Sequence, residues 1–356
     1  MEVLKRILKI LGIVLGVIVV AVVAFFGWLW ATEFRPEAEE PVSVENPIGQ
    51  TLDKSTFTIL SWNVGYCALG EESDFFMDGG EDVRPDSEEV IVGNLAGVRG
   101  YVSGVKADFT LLQEVDSDSR RSYKIDEAAE LRTKLGQTSA YALNFSTKFV
   151  PYPWPPIGRV HSGLLTLSHY QITEATRISL PCPFSWPVSM VNLKRCLLVS
   201  RVPIEGSDKE LVLVNLHLEA YDDGEGKLAQ SKQLREFVEQ EYAKGNYVVA
   251  GGDWNQIFPE TESVYPNAHK ELWTPGYLDE SELSAGWQYI WDESVPTCRL
   301  LNQPYDPTDT ENTQYYVIDG FLVSPNLTVN AVETLDENFV FSDHNPVLLT
   351  LSLSEG

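Results

Sequence analysis

The sequence has few residues that bind soft metals. Only five of its 356 residues are histidines and four are cysteines, and no two cysteines have CxxC spacing. It therefore predicts neither a cysteine–histidine zinc site nor a dense disulfide framework. Buried free thiols are the favoured interpretation of the cysteines. A single Cys182–Cys196 bridge is the alternative if the domain lies outside the cell.

Positive charge is also scarce. The chain has 26 basic and 52 acidic residues, which give a formal net charge of −26. A surface this acidic repels the phosphate backbone of nucleic acids unless cations screen the repulsion. Nucleic acid is therefore the less favoured partner. Hydrophobic residues make up 44% of the chain, which is enough for one large core or two smaller ones.

One long apolar run is present, at the N-terminus. Residues 10–31 carry no charge, and a helix of ~20 residues crosses the ~30 Å hydrocarbon layer of a membrane. Three basic residues precede the run and Glu33 follows it. By the positive-inside rule, residues 1–9 form a cytoplasmic stub and the rest of the chain is extracytoplasmic. The sequence thus predicts a single-pass cell-membrane anchor over 10–31, with a cleaved signal peptide as the alternative.

The remainder of the chain divides into two parts. Residues 32–54 are rich in proline and glutamate and lack apolar periodicity, which predicts a solvated linker. From 55 to 356, many short apolar runs typical of strands are interspersed with three helical patterns. This order of elements predicts an α+β domain with a layered sandwich architecture.

Polar side chains terminate several of the predicted strands. They are Asn63, Glu114, His217, Asp253 with Asn255, and Asp343 with His344, while Asp319 lies within its strand. One such residue is commonly a turn cap, but the repetition indicates that these side chains converge at one edge of a sheet. Carboxylates crowded together repel one another unless a cation or a shared proton intervenes. Oxygen ligands without cysteine favour a hard ion, Mg²⁺ above zinc.

Six motifs occur in a recognisable order: SWNVG, LLQEVD, NLHLEAY, GGDWNQ, VIDGFLVSP and FSDHNP. Together they resemble the endonuclease/exonuclease/phosphatase family, which is deoxyribonuclease I-like, and the resemblance spans roughly residues 55–354. It implies a four-layer α/β/β/α sandwich of two mixed sheets, preceded here by one transmembrane helix. The histidine in NLHLEAY is similar to that of sphingomyelinases and inositol phosphatases, so the chain resembles a membrane-anchored, bacterial-type member with a catalytic domain over 55–356.

The resemblance also implies a set of metal ligands. Glu114 corresponds to the main ligand of the family, Asn63 lies beside it and contributes directly or through water, and Asp343 completes the shell. The expected ion is Mg²⁺, with Mn²⁺ or Ca²⁺ as alternatives. A simple strand-end cap is the alternative interpretation of Asn63.

Five further residues take catalytic roles by the same resemblance. Asp253 would orient or deprotonate the attacking water, and Asn255 would hold a phosphate oxygen or the metal. His344 would contact the phosphate and activate water or stabilise the transition state. Asp319 would fix the tautomer of His344, as carboxylates behind histidines do, or would serve only as a structural partner. His217 would protonate the leaving group or bind the phosphate.

Two more side chains, His161 and Arg195, are candidates for substrate contact, with a solvated loop position as an equal alternative for each. Residues 149–160 and 180–190 are rich in proline and aromatic residues. Their rings either pack on the sandwich or form an apolar rim that touches a lipid or a stacked base.

These observations predict a Mg²⁺-dependent phosphoesterase, either a phosphodiesterase or a phosphatase. It would hydrolyse a phospholipid headgroup or a small phosphoester at the outer face of the membrane. The alternatives are an extracytoplasmic nuclease and a tethered binding module that has lost catalysis.

Overall fold

Four helices and eighteen strands form the parts of the chain that the computed structural model describes, residues 1–222, 224–309 and 311–354. The helices are α1 Glu2–Ala31, α2 Glu88–Val105, α3 Glu127–Leu135 and α4 Glu225–Ala243. The strands are β1 Glu39–Val42, β2 Val44–Glu45, β3 Thr56–Asn63, β4 Phe109–Asp116, β5 Thr138–Val150, β6 Gly158–Ser168, β7 Glu174–Ser179, β8 Cys196–Pro203, β9 Glu210–His217, β10 Tyr247–Asp253, β11 Gln256–Ile257, β12 Gly276–Tyr277, β13 Gln288–Ile290, β14 Cys298–Arg299, β15 Tyr315–Tyr316, β16 Asp319–Val323, β17 Leu327–Thr334 and β18 Val347–Leu353.

Two seven-stranded sheets form the framework. The first sheet has the order β1-β7-β8-β9-β10-β16-β13, and the second has the order β17-β18-β3-β4-β6-β5-β2. Both sheets are mixed, because β9 and β10 run parallel in the first and β3 and β4 run parallel in the second. Parallel neighbours place their carboxyl ends at the same edge of a sheet, so the ends of these four strands determine where polar side chains meet.

The two sheets pack face to face and each carries helices on its outer side. Leu111 of β4 and Phe321 of β16 belong to one buried cluster between the sheets. Ile91 of α2 and Leu131 of α3 join the cluster on the outer face of the second sheet. Leu234 of α4 joins the cluster on the outer face of the first sheet. This arrangement confirms the predicted four-layer α/β/β/α sandwich.

Residues 32–54 differ from the prediction. They do not form a free linker, because β1 pairs antiparallel with β7 and β2 pairs antiparallel with β5. Leu52, near the end of this segment, is buried. The short β1 and β2 are edge strands whose residues are exposed or half-buried, and an edge strand tolerates proline and charge. Their composition therefore resembles that of a solvated segment although they extend both sheets.

The N-terminal helix α1 begins earlier than the apolar run predicts, at Glu2. It is long and apolar enough to cross a membrane, and its most apolar 18-residue window has a mean hydropathy of 3.0 with no residue buried. Aromatic residues near its C-terminal end contact the domain. The ring centroids of Phe25 and Phe149 are 6.2 Å apart, and those of Phe26 and Trp186 are 6.3 Å apart.

All four cysteines are free, so the structure does not contain the Cys182–Cys196 bridge. Cys67, Cys196 and Cys298 are buried, as the favoured interpretation predicted. Cys182 is exposed, and the prediction of a buried thiol is wrong at this position.

β9 and β10 approach each other closely at Gly252, and this close approach leads to a prediction about stability. An added Cβ would overlap the carbonyl oxygen of Leu216. The backbone of β9 cannot yield without disturbing the adjacent strands, so we expect Gly252→Ala to lower the free energy of unfolding by about 3 kcal/mol or more. Chemical unfolding of the detergent-solubilised protein measures this change. Gly93→Ala is the control, since Gly93 in α2 has no atom within 4 Å of an added Cβ and alanine favours a helix by about 1 kcal/mol. Equal stability of the two variants would contradict the packing argument.

Candidate active site

Three polar residues meet at the carboxyl end of β10. In the first sheet, Asp253 at the end of β10 is paired with His217 at the end of β9 and with Asp319 at the start of β16. Asn63 at the end of β3 reaches them from the second sheet, and its Nδ2 donates to Oδ2 of Asp253 over 3.0 Å. The facing edges of the two sheets therefore share one polar centre.

Glu114 enters this centre through a β-bulge. The register between β4 and β6 shifts between Leu112 and Val115, and Glu114 has a φ of +53°. A bulge removes a residue from the regular ladder and redirects its side chain. Nδ2 of Asn63 donates to Oε1 of Glu114 over 3.1 Å, so the Asn63 amide bridges Glu114 and Asp253.

His344 is surrounded by three carboxylates. Its Nδ1 lies 2.8 Å from Oδ2 of Asp319. Its Nε2 lies 3.8 Å from Oδ2 of Asp253 and 3.9 Å from Oδ2 of Asp343. The contact with Asp319 fixes the orientation of the ring, and Nε2 faces the centre of the site.

The loop that carries Asp343 and His344 is held by two buried contacts. The Ser342 hydroxyl donates to the carbonyl oxygen of Asn63 over 2.7 Å and accepts from the backbone N–H of His344 over 3.2 Å. Nε1 of Trp62 donates to the carbonyl oxygen of His344 over 2.8 Å. Ser342 therefore connects the last loop of the domain to the end of β3.

His217 and Asn255 flank Asp253. Nε2 of His217 lies 3.3 Å from Oδ2 of Asp253, and its buried Nδ1 has no hydrogen-bond partner among the described residues. The backbone N–H of Asn255 donates to Oδ1 of Asp253 over 2.9 Å, and its Nδ2 donates to the carbonyl oxygen of Leu218 over 2.9 Å. Asp253 thus accepts hydrogen bonds at both oxygens.

The two candidates for substrate contact have different positions. Arg195 is buried, donates from Nη1 to the carbonyl oxygen of His217 over 3.1 Å, and pairs with Glu219 over 3.2 Å. The half-buried His161 stands on β6, where its backbone N–H donates to the Ser119 hydroxyl over 2.9 Å. The structure brings Arg195 to the site but does not bring His161 there.

Burial raises the pKa of two carboxyl groups of the site, those of Asp253 and Asp343. It raises the pKa of Asp253 to about 7, with repulsion from Asp319 adding to the effect. It raises the pKa of Asp343 to about 6, with repulsion from Glu114 adding to the effect. Such shifts show that negative charge is under-compensated within the described side chains.

The two histidines are shifted in opposite directions. Burial lowers the pKa of His344, but the carboxylates around it, Asp319 foremost, raise that pKa well above the usual range. Burial and the nearby Arg195 lower the pKa of His217 well below the usual range. These directions favour the protonated form of His344, which has two donors, and the neutral form of His217, which has one donor and one acceptor.

Comparison with protein families decides the identity of the fold. The sequence model of the Endonuclease/Exonuclease/phosphatase family matches residues 60–344. The chain belongs to the endonuclease/exonuclease/phosphatase family. Members of this family are hydrolases that act on phosphoesters. A search of curated proteins finds no match.

Solved structures of the family share the fold. An endonuclease/exonuclease/phosphatase from Beutenbergia cavernae DSM 12333 has a TM-score of 0.57 and 18% identity, covering 85% of this chain and 72% of that one. ANGEL2, a 2′,3′-cyclic phosphatase in complex with adenosine-2′,3′-vanadate, has a TM-score of 0.56 and 14% identity, covering 88% and 99%. A relative from Bacteroides vulgatus has a TM-score of 0.51 and 16% identity, covering 85% and 100%.

The residues of this family member fit a divalent cation. Asp253, Asp319 and His344 bring ligand atoms within 4.8 Å of one another, and so do Cys298, Asp343 and His344. Oδ1 of Asp319 is buried without a hydrogen-bond partner in the described part of the chain. Carboxylate oxygens with imidazole are suitable ligands for such an ion. Asp343 belongs to the second group and Glu114 to neither, and the assignments of Glu114, Asn63 and Asp343 as metal ligands stay predictions.

A cavity of about 550 Å³ opens onto the site of this endonuclease/exonuclease/phosphatase domain. Side chains of both Pro-aromatic segments line it, including Val150 and Tyr152 from 149–160 and Phe184 from 180–190. The interpretation of these segments as an apolar rim is therefore the one that the structure favours.

The cavity is also lined by residues that the sequence did not indicate. Arg121 makes two hydrogen bonds to Asp116, of 3.1 and 3.0 Å, and its guanidinium lies 3.5 Å from the ring centre of Tyr66. The Tyr221 hydroxyl donates to Oδ1 of Asp78 over 3.0 Å. Arg121 follows LLQEVD by only five residues, and that proximity to a site strand was the available signal. Asp78 lies in a loop with no such signal.

Proposed function

We propose that this protein is a membrane-anchored, extracytoplasmic, Mg²⁺-dependent phosphoesterase. Its substrate is a phospholipid headgroup ester or a small phosphoester. The observation that supports the reaction best is the convergence of Asp253, Asp319, Asp343 and His344 within one buried centre at the base of a cavity. A binding module without catalysis has no need for a basic carboxylate directly beside an imidazolium.

Each residue of the site has a role in hydrolysis that suits its charge state. Asp253 orients the attacking water and accepts its proton, because a carboxylate with a pKa near 7 is suited to general-base work at neutral pH. His344 donates from Nε2 to a non-bridging phosphate oxygen while Asp319 holds Nδ1. His217 and Asn255 add hydrogen bonds to the phosphate without adding negative charge.

A divalent cation held by Glu114 and Asp343, with Asn63 beside them, would neutralise charge on the phosphate and the leaving oxygen. The hard oxygen ligands favour Mg²⁺ for this position. The three basic residues that precede the apolar run 10–31 favour an extracytoplasmic domain.

The charges and walls of the cavity support a lipid or small phosphoester above a nucleic acid. Arg121 and Arg195 are the basic residues that line it within the described ranges, and both are engaged by the carboxylates Asp116 and Glu219. Few basic groups are therefore free to follow a phosphate backbone. The relative ANGEL2, a 2′,3′-cyclic phosphatase, makes a nucleotide phosphoester the second candidate.

A panel of phosphoesters tests the proposal. Lipid, nucleotide, inositol and sugar substrates are incubated with the full-length protein and Mg²⁺, Mn²⁺ or Ca²⁺. We expect release of phosphate or a phosphorylated headgroup from a lipid or small substrate. EDTA is expected to lower this release roughly 20-fold, a loss of at least 95%, because it removes the ion that neutralises charge. Excess Mg²⁺ is expected to restore the release. Turnover that persists in EDTA would contradict the metal-dependent mechanism. Preferential digestion of plasmid DNA or RNA would instead support the nuclease alternative.

A further inference from the structure

Two segments of the domain surround the point where α1 ends. We call residues 149–157 and 184–191 the two rim segments. Phe149 of the first contacts Phe25 of α1, and Trp186 of the second contacts Phe26. Both contacts lie within the last two turns of the apolar helix. With α1 in the proposed membrane-spanning position, these contacts place the rim segments at the level where α1 leaves the hydrocarbon layer.

The outer surfaces of the rim segments are unusually apolar. Trp154 is 89% exposed, Tyr152 is 70% exposed, Trp186 is 66% exposed and Val188 is 50% exposed. A cluster of large exposed apolar side chains marks an interaction surface rather than ordinary protein surface. Tryptophan and tyrosine are the residues that favour the interface between lipid and water. Continuity with α1 identifies the partner of this surface as the lipid bilayer.

The inner surfaces of the same segments line the cavity. Val150, Tyr152 and Ile157 contribute from the first rim segment, and Phe184 and Val188 contribute from the second. The base of that cavity is formed by Asp253, Asn255, His217 and His344, together with Asp343. One continuous space therefore has catalytic groups at its base and membrane-facing apolar walls at its mouth.

The domain is also held close to the membrane. Only residues 32–38 separate the end of α1 from the start of β1, and an extended chain of that length spans about 25 Å at most. Nζ of Lys194 lies 3.2 Å from Oε1 of Glu33, and the guanidinium of Arg35 lies 5.0 Å from the ring centre of Trp30. The first contact joins the domain to the residues that follow α1, and the second holds those residues against the end of α1.

We propose that the two rim segments insert into the outer leaflet around α1, and that the cavity takes a phosphoester lipid directly from the bilayer that holds the anchor. The acyl chains lie against the rim segments and the phosphate meets the catalytic residues. Water supplies the oxygen that replaces the ester oxygen on phosphorus and the proton that the leaving oxygen takes. This inference rests on the proposed function and names its substrate as a lipid of the same membrane.

The first test compares substrate in the same membrane with substrate in another. Full-length protein is reconstituted in nanodiscs that contain a phosphoester lipid found active in the panel. It is compared with protein in substrate-free nanodiscs mixed with nanodiscs that contain the lipid. We expect hydrolysis to be faster in the first arrangement by roughly tenfold or more, because the anchor raises the effective substrate concentration. Equal rates overturn the inference while leaving the phosphoesterase intact.

The second test removes the exposed rings. Trp154→Ser combined with Trp186→Ser is expected to lower lipid hydrolysis within the same nanodisc by roughly tenfold, since interfacial contact scales with buried apolar area. Hydrolysis of soluble bis(p-nitrophenyl) phosphate stays unchanged. Tyr277→Ser is the matched control, since Tyr277 is 55% exposed on β12 and does not line the cavity. Equal losses on lipid and soluble substrate assign the tryptophans to the catalytic centre and overturn the inference.

A third measurement does not depend on activity. Brominated lipids quench tryptophan fluorescence on contact, and we expect the quenched fraction to fall in the double variant and to remain unchanged in Tyr277→Ser. An unchanged fraction in the double variant shows that the rim segments stay in water. If no phosphoester is hydrolysed but quenching falls, the membrane contact stands and the proposed function fails.

Discussion

Replacing His344 with alanine is expected to lower kcat by about 10²–10⁴-fold, the range for loss of a positioned proton donor. The geometry gives two reasons. Nε2 faces Asp253 and Asp343 at 3.8 and 3.9 Å, so the ring supplies positive charge where a phosphate must approach two carboxylates. Nδ1 is held by Asp319 at 2.8 Å, which keeps the ring in that position. The measurement is kcat and KM on the best substrate of the panel at saturating Mg²⁺.

Two further variants separate catalysis from stability in this experiment. His344→Ala leaves Asp319 buried without its partner, so thermal unfolding must be measured alongside kcat. Asp319→Asn keeps the ring in place but removes the charge that raises the pKa of His344. We expect it to move the alkaline limb of the pH–rate profile to lower pH, a change that a purely structural role would not produce. His169→Ala is the matched control, because His169 is exposed and hydrogen-bonded to Gln137 away from the cavity. A kcat in His344→Ala within twofold of the wild type would remove His344 from the mechanism.

The sequence could predict the parts of the site that depend on strand periodicity. Asn63, His217 and Asp253 each end a strand whose preceding residues are apolar, and parallel pairing brings such ends together. The edge at which they meet follows from the pairing of β3 with β4 and of β9 with β10. For the same reason, the pattern of short strands and three helices was enough to predict the layered fold.

Other parts depend on contacts between residues distant in sequence, which periodicity does not encode. The sequence indicated Glu114 as a polar residue at a strand end, but no local pattern predicted the bulge and the positive φ through which it enters the site. The segment 32–54 was predicted to be solvated because an edge strand and a linker have similar composition. The proposed membrane contact of the rim segments depends on where α1 ends relative to the hairpin of β5 and β6. The end of α1 and this hairpin are more than a hundred residues apart along the chain.

Glu114→Gln is expected to raise the Mg²⁺ concentration needed for half-maximal activity by at least about 10–100-fold, the range for weakened metal sites. Glu114 is directed into the site by a bulge, and its side chain accepts a hydrogen bond from the Asn63 amide. Repulsion between Glu114 and Asp343 contributes to the raised pKa of Asp343, and a cation bound by both carboxylates would relieve that repulsion. Removing one of the two charges is expected to weaken binding of that cation, whereas the side chains of His344 and Asp253 are unchanged.

The experiment titrates activity against Mg²⁺ and measures Mg²⁺ binding directly by calorimetry. Glu174→Gln is the matched control, because Glu174 is exposed at the start of β7 and its charge is distant from the site. If Glu114→Gln lowers kcat while the Mg²⁺ affinity is unchanged, Glu114 contacts substrate and the cation binds in the group formed by Asp253, Asp319 and His344. In that arrangement Asp253 is a metal ligand, and the water must lose its proton to another group. The Mg²⁺ titration of this one variant therefore distinguishes two assignments of the general base.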